Sequence, residues 1–360
     1  MSSQDNYESV ADDASTAIAE FDAQPRGPVQ KLQHALHVTP SLVPLIVLIS
    51  ATIAFALILG DRFLSPFALT LILQQVQIVG IVAVAQSLVI LTAGIDLSVG
   101  AIMVLSSVVM GQFTFRYGLP PEVAIAIGLT CGALMGFING FLVAVIKLPP
   151  FIVTLGMWQI VLATNFLYSR NQTIRSQDIE NDAPILQFFG TTFRIGADEA
   201  GRGGAVFTYG VIFMLILFGV MAYVMKHTAW GRHVYAVGDD SEAAALSGVN
   251  VTKIIISVYM LAGLICAFAG WALIGRIGSV SPTSGQFANI ESITAVVIGG
   301  ISLFGGRGSI LGPLFGALIV GVFTLGLRIA GADTQWTYLL IGILIIGAVA
   351  VDQWIRKVSG

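Results

Sequence analysis

The polar residues inside apolar runs include Gln75, Gln86, Asp96, Ser98, Asn139 and Asn165. None is a nucleophile with a base beside it, and no group of His, Cys and acidic residues has the spacing of a metal site. The chain holds no Gly-Lys-Ser or Gly-Lys-Thr and therefore no phosphate-binding loop. If ATP is used, another chain binds it. Hydrogen bonding is the chemistry that remains. Amides donate and accept at once, so a charge-poor path lined by them suits a neutral, hydroxyl-bearing solute. A proton- or cation-coupled carrier calls for paired buried charges, and Asp96 is the single candidate. Gln75 and Gln86 lie eleven residues, or three helical turns, apart and share a face. Each amide has a competing use as a polar tie between helices. Asp96 and Ser98 serve equally well as caps of a following helix.

A second group lies in the polar middle, Lys226–Lys253. Asp239 is placed to be an N-cap, with Glu242 three positions later completing a capping box. Ser241 and Glu242 suit a first turn, and Ala243, Ala244 and Ala245 favour helix. Gly248 falls where about two turns of helix end in a left-handed cap. The result is a short, smooth knob, read either as a solvated turn or as a docking element for a second protein.

The elements that position these residues are membrane spans. Of 360 residues, 56% are hydrophobic and only 10% charged, against about 25% charged in soluble domains. The expected fold is an all-α integral membrane protein of about ten transmembrane helices. The net charge of −3 offers nothing to nucleic acid, and Cys131 and Cys266 read as packed thiols in apolar runs. Residues 1–40 are acidic and aperiodic, an expected disordered tail. Spans are expected at 41–60, 63–115 (two, with a break at 91–100), 123–146, 151–168, 203–225, 254–275, 293–304, 309–327 and 334–351. The break is attributed to Gly94 and Gly100. Residues 41–355 form one polytopic domain, with 356–360 as its C-terminal end. Nine Lys/Arg fall on the side of the termini and eight on the other, which leans towards cytoplasmic termini. That orientation makes 226–253 cytoplasmic and the long 170–202 loop external. Gly94-Ile95-Asp96-Leu97 with Gly100 is echoed by Gly300-Ile301-Ser302-Leu303 with Gly306, four identities in seven at a constant offset. Duplicated broken helices are a transporter feature.

Four blocks, Leu91–Met103, Gly136–Met157, Gly231–Val251 and Val296–Leu318, carry a family resemblance. In their order they resemble the permease subunits of bacterial ATP-binding-cassette sugar importers of the ribose, xylose, galactose and fructose branch (carbohydrate uptake transporter 2). The resemblance implies a permease dimer in the bacterial inner membrane. It implies an ATPase partner that binds ATP and Mg, and a periplasmic sugar-binding protein. Fructose or ribose is the expected sugar. It assigns ATPase coupling to Asp239, Asp240, Ser241, Glu242, Ala243, Ala244, Ser247 and Gly248. Arg170, Arg175, Arg194 and Arg202 become candidates for meeting the binding protein's acidic lobes. The chain departs from the family at Gly238-Asp239-Asp240, often Gly-Asn, and at Ala163-Thr164-Asn165, where many members have Arg-Gly. The alternatives are a branched-chain amino-acid importer permease, an ion-coupled secondary transporter and a non-transporting scaffold.

Overall fold

Apolar runs that must satisfy every backbone group away from water have one local solution, the helix. The structure, a computed structural model, describes residues 41–196 and 204–359. Its elements are α1 (Leu42–Leu59), α2 (Asp61–Leu64), α3 (Pro66–Leu91), α4 (Val99–Phe115), α5 (Pro121–Ala144), α6 (Pro150–Ser169) and α7 (Ser176–Asp182). A 3-10 helix at Pro184–Gly190 and the strands β1 (Thr192–Ile195) and β2 (Ala205–Thr208) follow. The chain continues through α8 (Tyr209–His227), α9 (Ala229–Asp239), α10 (Ser241–Leu246) and α11 (Val251–Ile277). It ends with α12 (Ala288–Ile298), α13 (Leu311–Ile329) and α14 (Thr334–Ser359). Among the described residues seven helices are long and apolar enough to cross a bilayer, and three shorter apolar helices lie at 99–115, 288–298 and 335–350.

α3 is the axis of the bundle. It is far more buried than α1, and it packs on α8, α11, α12 and α13. An apolar helix covered on all sides is a core element. α5 and α11 approach backbone to backbone. A Cβ on Gly136 would overlap the Tyr259 carbonyl oxygen, and one on Gly263 would overlap that of Gly132. Small residues four apart permit this approach where no hydrophobic effect drives helices together.

Several boundaries differ from expectation. The long loop after α6 is not plain coil: it holds α7, the 3-10 helix and an antiparallel hairpin pairing Thr192 with Thr208. Strands of four residues leave too little alternation to be read from sequence. Arg276 is not in a loop but in the last turn of α11, where Nε donates to the Gln74 carbonyl at 3.1 Å. The eighth expected span, 293–304, starts earlier, at Ala288, and ends at Ile298. The tail expected at 1–40 lies outside the described residues.

Candidate functional site

The first break is built by α3 ending. Ala93 N–H donates to Ile90 O at 2.9 Å and Gly94 N–H to Val89 O at 3.1 Å, the paired bonds of a Schellman cap. The left-handed residue is Ala93, with φ 59°, rather than either glycine. Gly94 is there for space: a Cβ on it would lie 2.8 Å from the Tyr259 hydroxyl. Gly100 is also a close-approach glycine, a Cβ on it lying 3.0 Å from Asn289 N.

Asp96, Ser98 and Asn139 come together here. Asp96 Oδ1 accepts from Ser98 N–H at 2.7 Å and from its hydroxyl at 2.6 Å, while Asn139 Nδ2 donates to Ser98 Oγ at 2.9 Å. Ser98 occupies the N-cap position of α4 but makes no capping bond. Asp96 holds Ser98 from two residues upstream instead. Around them Thr154 Oγ1 donates to Ile95 O at 3.0 Å and Asn289 Nδ2 to Leu97 O at 3.2 Å. The chain between α3 and α4 is thus irregular backbone with two carbonyls met by side chains of α6 and α12 and its Ser98 hydroxyl met by Asn139 of α5. All five polar residues are buried.

The second break repeats this plan. Gly300, φ 79°, donates to Val297 O at 3.0 Å, and Ile301 N–H to Val296 O at 3.2 Å. Ser302 Oγ accepts from Phe304 N–H, two residues on, at 3.3 Å. That is the bond Asp96 makes to Ser98, so the sequence echo is a structural one. The two breaks touch: Gly306 N–H donates to Leu91 O at 3.1 Å. α9 lies across both. A Cβ on Gly238 would overlap the Leu91 carbonyl, a Cβ on Gly306 would meet Asp239 Cα at 2.7 Å, and Tyr235 donates its hydroxyl to Gly308 O at 2.9 Å.

The knob follows α9 with one shift of register. α9 runs through Asp239, so the first extended residue, and the N-cap of α10, is Asp240. Its Oδ1 accepts from Glu242 N–H at 2.9 Å and Ala243 N–H at 3.0 Å. Glu242 therefore sits one position too early for a capping box. Gly248, φ 86°, closes α10: Gly248 N–H donates to Ala245 O and Val249 N–H to Ala244 O, both at 3.0 Å. Ala244 is the one buried residue of the expected coupling set: it is 5% exposed and packs into the main core. Asp239, Asp240, Ser241, Glu242, Ala243, Ser247 and Gly248 are exposed. So is Leu246, at 91%, which the sequence reading passed over. Being the sole large apolar residue in α10, two positions from the inward Ala244, it was the available signal.

The remaining candidates are scattered. Gln86 is fully buried with both amide atoms unpartnered, and Gln75 is half-buried on the same helix. Their unremarked neighbours do the visible bonding at the other end of α3: Gln74 Nε2 donates to Val206 O and Thr208 Oγ1 to Gln77 Oε1, each at 2.7 Å. Arg170, Arg175 and Arg194 are exposed after α6, and Arg202 lies outside the described residues. Asn165 is 1% exposed; its Nδ2 donates to Pro282 O at 2.9 Å and its Oδ1 has no partner. It lines a cleft of ≈ 70 Å³ with Ala101, Val104, Trp158, Gln286 and Phe287. Asp96, Gln75 and Gln86 are not in that lining.

A carboxylate was also missed. Glu291 lies in the first turn of α12 on an exposed face with Phe287 and Ile290. The neighbouring Asn289 abuts Gly100, sixteen residues before Arg116, or about 24 Å along α4. Against a hydrocarbon layer of about 30 Å, that level is most of the way across from the Arg116 end. A span beginning at Ile293 does not include Glu291.

The sequence matches the family described as "Branched-chain amino acid transport system / permease component" over residues 68–349. It is 71% identical to the fructose import permease protein FrcC of Rhizobium meliloti, over 98% of this chain and 96% of that one. It is 36% identical to the ribose import permease protein RbsC of Bacillus subtilis, covering 82% and 88%. Identity to the galactose/methyl galactoside import permease protein MglC of Escherichia coli is 31%, covering 85% and 92%. No solved structure matches.

Proposed function

The chain belongs to this family of transport-system permease components, and we propose that it is the multi-pass inner-membrane subunit of an ATP-driven importer that passes fructose. The observation that carries the coupling is the junction at Gly238. A chain without a phosphate-binding loop presents a capped, exposed helix on a segment clamped to both broken helices. A separate ATPase binds ATP and Mg and grips α10 through Leu246 and the acidic rim of Asp239, Asp240 and Glu242. Movement of α10 passes through Gly238 to Leu91 and Gly306, and from there to the polar cluster at Asp96. Both termini and α10 are then cytoplasmic. Arg170, Arg175, Arg194 and Arg202 face a periplasmic sugar-binding protein. The sugar rests on similarity to permeases named for fructose, ribose and galactose.

The second copy of the permease is supported by Glu291. A carboxylate within the hydrocarbon layer is disfavoured where it faces lipid. The face Phe287–Ile290–Glu291 therefore borders a wet path shared with a second copy. The test is uptake of labelled fructose by cells carrying the chain with its ATPase and binding protein, against the same cells lacking the chain. Uptake that follows the chain and ceases on ATP depletion supports the reading. Uptake of leucine in place of fructose, or uptake abolished only by collapsing the proton gradient, contradicts it.

A further inference from the structure

We infer that the cleft between α4, α6 and the 282–287 segment is a low-affinity saccharide subsite on the permease itself. The inference rests on the importer reading above and adds a place where the solute pauses. Four observations point to this ligand class. The cleft walls combine two aromatic rings, Trp158 and Phe287, with two neutral amides, Asn165 and Gln286. No charged side chain lines it, which disfavours amino acids, ions and phosphorylated solutes. Asn165 is 1% exposed, and its Nδ2 is held by the Pro282 carbonyl at 2.9 Å, which fixes the amide so that Oδ1 is the free atom. That Oδ1 has no partner among the described residues, a costly state for a buried acceptor.

A monosaccharide has the complementary chemistry. Its hydroxyls exchange bonds with Gln286 and, once the wall yields to the ligand, reach Asn165 Oδ1, which is otherwise closed over, and its C–H face packs on an aromatic ring. The ring of Phe287 is 69% exposed and free to meet a ligand. At ≈ 70 Å³ the cleft takes the rim of one sugar ring rather than a whole oligosaccharide. The irregular 282–287 backbone is tolerated there as cavity lining. Few polar contacts and an incomplete enclosure fit a site that must also let go.

The test uses the full permease assembled with its ATPase in detergent, without the binding protein. Tryptophan fluorescence is followed while fructose is added into the millimolar range. A saturable change is expected, lost in Trp158→Phe and not produced by leucine. Asn165→Leu is expected to weaken the half-saturation about tenfold, one hydrogen bond's worth in a desolvated site. Phe287→Ala, at an exposed ring, carries the test if Asn165→Leu fails to assemble, and is expected to shift the curve in the same direction. A flat fructose titration of the unmodified complex overturns the subsite, as does an unchanged curve in both variants. Uptake of fructose by the same preparation with its binding protein separates the two ideas. If uptake is intact the importer reading stands whatever the titration shows, and if uptake is absent that reading falls.

Discussion

At the scale of single residues, burial sorts the polar candidates into anchors and contacts. Asp96 spends its Oδ1 on the amide and hydroxyl of Ser98, so the account makes it a positioning residue rather than a sugar ligand. Asp96→Asn keeps an acceptor at that place and is expected to leave fructose uptake within a few-fold of normal. Ser98→Ala removes the middle of the Asn139–Ser98–Asp96 chain and strands the buried Asn139 Nδ2 donor, while Asp96 Oδ1 keeps the residue-98 backbone N–H. The expected loss is about 1–3 kcal/mol, read as a lower unfolding temperature of the detergent-solubilised protein. The knob residues divide the same way. Leu246→Glu alters a side chain that is 91% exposed and should lower co-purification of the ATPase without affecting membrane insertion. Ala244→Leu overfills a packed position and should cost stability, typically about 1–3 kcal/mol. Much of this was legible. Asp96, Ser98 and Asn139 were picked from polarity alone and prove to be one cluster. Ala244 and Leu246 were not told apart, because six residues of helix carry too short a pattern to show which face is inward.

At the scale of elements, the informative unit is α9. It was not anticipated, since Lys226–Lys253 looks like a polar loop, yet Val234, Val237 and Gly238 make a narrow inward stripe along it. Its C-terminal end fixes the register of the knob: because α9 extends through Asp239, the cap falls on Asp240. Both broken helices were visible as glycine-rich interruptions. The backbone reason was not, because the left-handed turn is taken by Ala93 in one copy and by Gly300 in the other, one residue out of step with the echo. The contact among α9, Leu91 and Gly306 predicts that Gly238→Ala uncouples the machine. Its methyl collides with the Leu91 carbonyl. The expected outcome is a complex that still binds its ATPase and hydrolyses ATP but accumulates at least about tenfold less fructose, measured side by side in proteoliposomes.

At the scale of the whole molecule, the described residues hold seven span-length helices and three shorter apolar ones, a mostly helical, membrane-type build as expected from the sequence. Charge-free runs this long have no other stable form in lipid. Span ends were less legible wherever a helix dips rather than crosses. The 278–287 segment runs beside α4 and α6 into α12, which brings Asn289, and Glu291 two residues on, to the Leu97–Gly100 break, a placement that a count of apolar residues does not reveal. On the proposed importer reading, the exposed face of α12 is expected to meet protein or water. In a chain with Cys131 and Cys266 replaced, Ile290→Cys should form a cross-link between two copies in membranes; a face that meets only lipid would leave it monomeric.

The central claim is that ATP-driven movement enters through α10 and reaches both breaks through α9. The most direct measurement is a cross-link from Leu246→Cys to the ATPase in the complete complex, with fructose uptake followed before and after. The account predicts an adduct that forms from the cytoplasmic face, changes in yield when ATP is added, and stops uptake once formed. Labelling of that cysteine only from the periplasmic face, or uptake that proceeds with the helix locked, would contradict it.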